Sequence, residues 1–166
     1  MFLLLLEYMN KVNNLIFQVI IVWFLEILFL DFFEINNIRP DFLVIVILYW
    51  SIKFGRTLGI VSGFFIGLLA DLAGTATFFG LSSLTYSVTG YLSGNLKGLF
   101  NKVNPFLFTL FWISIIFIQA FIFCVFHNQN LLSMDIKSFY EIFMGTGFYT
   151  VSFIIILQMI YPIHKI

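Results

Sequence analysis

From Pro105 to Phe126 the chain reads PFLFTLFWISIIFIQAFIFCVF and carries no charged side chain. A helix of that length crosses the hydrocarbon of a bilayer, which takes about 20 apolar residues. In water it would expose a cylinder of phenylalanine, isoleucine and leucine with nothing to cover it. Five further apolar stretches follow the same plan, so the pattern predicts spans at about 13–33, 38–54, 57–75, 79–99, 105–126 and 139–161. The expected fold is all-α: one integral membrane domain, residues 1–166, built as a bundle of six transmembrane helices. Composition agrees. Charged residues make up 10% of the chain and the mean hydropathy is +1.07, whereas a soluble domain carries about 25% charged residues.

The breaks between spans have local causes. Pro40 and Pro105 suit the first turn of a helix, where no backbone donor is lost. Asn104 is a fitting N-cap for the span that begins at Pro105, and Pro162 ends the last span. The segment around His127–Ser138 reads as the longest loop. The opening MFLLLLEYMNK lacks a basic n-region and a small-residue cleavage site, so it is expected to stay in the mature chain.

Orientation follows from lysine and arginine. Lys11, Lys53, Arg56, Lys97, Lys102 and Lys165 fall on one side of the predicted spans, and Arg39 and Lys137 on the other. That asymmetry places both termini in the cytoplasm, as an even number of crossings requires. The net charge of zero gives no reason to expect a nucleic-acid partner.

One stretch needs its own explanation. In GRTLGIVSGFFIGLLADLAG, Gly55, Gly59, Gly63 and Gly67 recur at every fourth position, and the next step is Asp71. Residues four apart form a slanted ridge on a helix. Lipid supplies no hydrophobic force between helices, so small residues that allow close backbone approach must drive packing. The next span carries a matching series, Tyr86, Gly90, Gly94 and Gly98. Either the two ridges pack together, or one is reserved for a helix of another protein.

An intramembrane carboxylate costs about 2.5–3.5 kcal/mol on insertion scales, so Asp71 needs a partner. Arg39 lies at the same outer level, and an Asp71–Arg39 pair is expected to lock the second span to the third. Glu26 has no basic residue at its depth. It is expected to be protonated or hydrogen-bonded by hydroxyls. The fourth span is rich in hydroxyls, with Ser82, Ser83, Thr85, Tyr86, Ser87, Thr89 and Ser93. These serve as interhelical glue or line a small polar cavity.

Catalytic signatures are missing from the sequence. It has no H-E-x-x-H, no phosphate-binding P-loop, no G-x-S-x-G elbow and no Cys/His cluster. Cys124 stands alone in an apolar run and is expected to be inert. His127 and His164 do not cluster with other ligands. The expectation is a non-enzymatic protein with no cofactor and no metal.

The stretch Arg39–Gly98 resembles the MreD family, the rod shape-determining membrane proteins of bacteria. The matching features are Pro40-Asp41 ahead of an apolar segment with Tyr49-Trp50, then Gly59, Gly63-Phe64, Gly67-Leu68 and Asp71-Leu72. Phe79-Gly80-Leu81 and Gly90-Tyr91-Leu92 with Gly94 continue the series. The resemblance implies a multi-pass scaffold of the bacterial cytoplasmic membrane. Its implied partners are an MreC-like single-span protein, MreB filaments, RodA and a penicillin-binding transpeptidase, and its implied role is to support wall synthesis during elongation. A different class gives the alternative. The S-components of energy-coupling factor vitamin transporters are also six-helix membrane proteins with glycine-rich helices, and a similar fold is expected on that ground.

Overall fold

The computed structural model describes residues 20, 21, 23, 24, 33–35, 38–74 and 78–163. Among these, six helices form and no strand: α1 (Phe42–Phe54), α2 (Arg56–Leu72), α3 (Leu81–Gly94), α4 (Pro105–His127), α5 (Gln129–Met134) and α6 (Ile136–Ile160). Ile35 and Ile38 close a small backbone turn through two mutual hydrogen bonds of 2.9 Å ahead of α1. The first predicted span falls largely outside the described residues, and so does Glu26.

Each helix begins and ends for a reason visible in the chain. Asp41 caps α1 by accepting from the Val44 amide at 3.0 Å, so Pro40 precedes the cap rather than occupying the first turn. Gly55 ends α1 at φ 97°, a left-handed region that side chains rarely adopt, and turns the chain directly into α2. Asn104 accepts from the Phe106 amide at 3.1 Å, with Pro105 in the first turn of α4. Asp135 caps α6 through the amides of Lys137 and Ser138. The Ser138 hydroxyl and these amides hold the Asp135 carboxyl below the usual carboxylate range. Tyr161 and Pro162 close α6.

The apolar pattern decides which helix sits inside. α1 is apolar around its whole circumference, and Leu43, Val44, Ile47 and Leu48 are at most 1% exposed. A helix of that kind belongs at the centre of a bundle. α2, α3 and α6 pack around it. α4 buries one stripe, Phe108, Trp112, Ile115, Ile116, Gln119 and Ala120. Its other face presents Phe106, Leu110, Phe121 and Phe126 outward.

One expectation is met in part and two are corrected. Among the described residues two helices, α4 with 23 residues and α6 with 25, are long and apolar enough to cross a membrane. α1, α2 and α3 have 13, 17 and 14 residues, shorter than the about 20 that a straight crossing takes. The span predicted at 79–99 stops as a helix at Gly94 and continues as turns, with Gly98 at φ 70° and nothing within 4 Å of where its side chain would be. The loop predicted at 127–138 is mostly helical, because Asn128 ends α4 and α5 starts at once.

Candidate functional site

α2 and α3 run antiparallel and meet along the glycines. A Cβ built on Gly59 would lie 2.5 Å from the Gly90 carbonyl oxygen and 2.5 Å from Ser51 Oγ of α1. One built on Gly94 would lie 2.5 Å from Arg56 Cα. At Gly63, Gly67 and Gly90 the clash is closer still, with the Tyr86 carbonyl, the Ser83 backbone and the Gly59 carbonyl respectively. Gly59, Gly63, Gly67, Gly90 and Gly94 therefore lie on one seam where two backbones touch. The ridges face each other, so α3 occupies the groove that another protein's helix could have taken.

The hydroxyls of α3 follow the same logic. Ser82, Ser83, Thr85, Thr89 and Ser93 are at most 3% exposed. Most of them bond backward along their own helix. Thr89 Oγ1 donates to Thr85 O at 2.8 Å, Ser93 Oγ to Thr89 O at 2.5 Å, and Ser87 Oγ to Ser83 O at 2.6 Å. A small side chain that satisfies its hydroxyl on its own turn can be buried against a neighbour without needing a partner there. Neither interhelical glue nor a cavity wall describes the majority of them. They are compact residues that permit close packing.

Two carboxylates cross between elements. Asp71, at the end of α2, accepts from the amides of Gly80 (2.9 Å), Ser82 (3.0 Å) and Ser83 (3.3 Å), and from Ser83 Oγ (3.2 Å). It caps the first turn of α3, where free amides and the helix dipole favour an anion. The expected Asp71–Arg39 pair is absent, because four neutral donors already fill the carboxylate. Among the described residues Arg39 forms no ion pair and donates no hydrogen bond. Removing Arg39 should then cost little in stability, while Asp71→Ala should cost about 1–3 kcal/mol through the stranded amides. Thermal unfolding of the two variants in detergent checks this, and equal losses would contradict it.

The second carboxylate is Asp41, which the sequence reading left as part of a motif. Beyond capping α1, its oxygens accept from Tyr86 Oη of α3 at 2.9 and 3.0 Å and from Gln119 Nε2 of α4 at 3.2 Å. Its own amide donates to Thr150 Oγ1 of α6 at 3.1 Å. One residue thus joins four helices. Tyr86 serves both structures: its backbone packs on Gly63 and its hydroxyl reaches Asp41. The sequence signal was an acid directly before a long apolar run, the position of an N-cap. Nothing local marked its distant donors.

Among the described residues no group of three or more His, Cys, Asp or Glu could hold a metal. Cys124 is buried on α4. The two buried carboxylates Asp71 and Asp41 join helices, and the two long apolar helices fit a membrane. The class so defined is a helical membrane protein organised around close backbone packing and carboxylate caps. The family model for rod shape-determining protein MreD matches residues 7–166, and the chain belongs to that family. No curated protein and no solved structure matches it, so the expected likeness to S-components has no support.

Proposed function

We propose that the chain is a non-enzymatic scaffold of the cell-elongation complex in the bacterial cytoplasmic membrane. In this reading it crosses the membrane several times with both termini in the cytoplasm. It links an MreC-like single-span protein and MreB filaments to RodA and a penicillin-binding transpeptidase. Family membership implies a role in determining rod shape, and it is the observation that carries the proposal.

The geometry supports a scaffold in two ways. The α2–α3 seam is closed by backbone contact, which makes a stiff pair of helices rather than a yielding one. The faces left open are apolar, including Leu110, Phe121, Ile155 and Ile156 on α4 and α6, and such faces suit contact with lipid or with a partner's span. The proposed orientation puts Lys53, Arg56, Lys97 and Lys102 on the cytoplasmic side. Lys97 also ties that end together, its Nζ donating to Phe54 O at 3.1 Å.

Depletion in a rod-shaped native host should round the cells, and tagged protein solubilised from that host should retain an MreC-like protein. Cells that stay rod-shaped after full depletion would overturn the proposal.

A further inference from the structure

The end of the bundle where α1 begins holds a cavity of about 280 Å³. It lies between the segment preceding α1, the end of α4, α5 and the first turns of α6. Its polar lining is Glu34, Arg39, His127, Asn128 and Thr146, and Phe123, Leu131 and Ile142 form part of its apolar wall. Ordinary sites for drug-sized ligands run from roughly 300 Å³ upward, so this one suits a smaller group.

Arg39 is the residue that asks for an occupant. Arg39 is half-buried, yet among the described residues its guanidinium has neither a hydrogen-bond acceptor nor an ion-pair partner. It lies close enough to act electrostatically on Asp41 and His127. Asp41 does not complete it, since that carboxylate is committed to Val44, Tyr86 and Gln119. Glu34 lines the same cavity from an exposed position. A fork of unused guanidinium donors matches the paired oxygens of a phosphate. Asn128 and Thr146 add neutral hydrogen-bonding groups. A carboxylate beside such a fork disfavours a plain anion but suits a ligand that carries a cation next to its phosphate.

We propose that this cavity binds the headgroup of a phospholipid bearing a primary amine, with its phosphate on Arg39 and its ammonium facing Glu34. The apolar wall of Phe123, Leu131 and Ile142 would receive the glycerol end. In the orientation proposed above, the cavity opens at the outer leaflet. The site is separate from any choice of protein partner.

The test uses the full-length protein, purified in detergent and stripped of lipid. Phosphatidylethanolamine, phosphatidylglycerol and phosphatidylcholine are added back singly and retention is read by native mass spectrometry. Phosphatidylethanolamine should be retained best, and Arg39→Gln should lower its retention at least about fivefold. Glu34→Gln should abolish the preference for ethanolamine over choline. Where Arg39→Gln fails to fold, the wild type suffices: its melting temperature should rise with phosphatidylethanolamine and less with phosphatidylcholine. Equal retention of the three lipids, or equal retention by wild type and Arg39→Gln, would overturn the proposal. Stabilisation by inorganic phosphate at millimolar concentration, without any lipid preference, would also overturn it and mark a site for the free ion.

Discussion

Gly63→Leu should abolish assembly of the helical core. A single Cβ at that position already collides with the Tyr86 carbonyl, and a carbonyl in a helix cannot step aside as a side chain can. Even Gly63→Ala must push α2 and α3 apart, at a cost of about 1–3 kcal/mol. Leucine adds three further carbons to the same space. Separation would also disturb Tyr86, whose hydroxyl binds Asp41, so the damage should reach α1. Expression, monodispersity in detergent and melting temperature read the effect. Phe64→Leu is the control: Phe64 is the next residue on the same helix, but it points outward and is 47% exposed. It should behave as wild type. If Gly63→Leu assembled and melted normally while cells stayed rod-shaped, the seam would not matter to the fold or to the role.

Asp41→Ala should be the most damaging change among the polar residues. It removes the cap of α1, worth about 0.5–2 kcal/mol. It also strands the Tyr86 hydroxyl and the Gln119 amide, each at about 1–3 kcal/mol if no water reaches them. The sum is roughly 2.5–8 kcal/mol, a large share of what holds a small domain together. Asp41→Asn keeps an accepting oxygen for the Val44 amide and should fall between wild type and alanine. A double variant, Asp41→Ala with Tyr86→Phe, removes one stranded donor together with its acceptor. It should lose less than the two single losses added. Strict additivity would mean that the Tyr86–Asp41 bond carries no energy.

The sequence made some of this legible and hid the rest for physical reasons. The glycine spacing was readable because small-residue periodicity is local: four positions per step mark one ridge of a helix whatever lies opposite. That the two ridges pack on each other, and not on another protein's helix, was left open by the spacing and is decided by the backbone contacts at Gly59, Gly63, Gly67, Gly90 and Gly94. The partner of Asp71 was misread because charge was matched to charge. Backbone amides at the start of a helix leave no mark in a sequence beyond the residues that begin it, and here Gly80, Ser82 and Ser83 supply four donors. Asp41 was read only within the Pro40-Asp41 motif, neither as an N-cap nor as a junction; its donors Tyr86 and Gln119 lie 45 and 78 positions away. The hydroxyls of α3 read as interhelical glue or a cavity lining because composition cannot reveal that a hydroxyl turns back onto its own helix. Apolar runs gave the helices but not their lengths: Leu96, Leu99 and Phe100 carry the apolar pattern past Gly94, where the helix stops.

Those lengths bear on the bilayer itself. At about 1.5 Å per residue, α4 and α6 reach roughly 35 and 38 Å, while α2 and α3 reach only about 26 and 21 Å. A hydrocarbon layer is about 30 Å thick. In the multi-pass reading proposed above, acyl chains beside the α2–α3 flank would shorten or splay, and those beside α4 and α6 would stand at full height. A molecule of that build would tilt the thickness of its surroundings from one side to the other, and neighbouring membrane proteins would then be sorted around it by the length of their own spans.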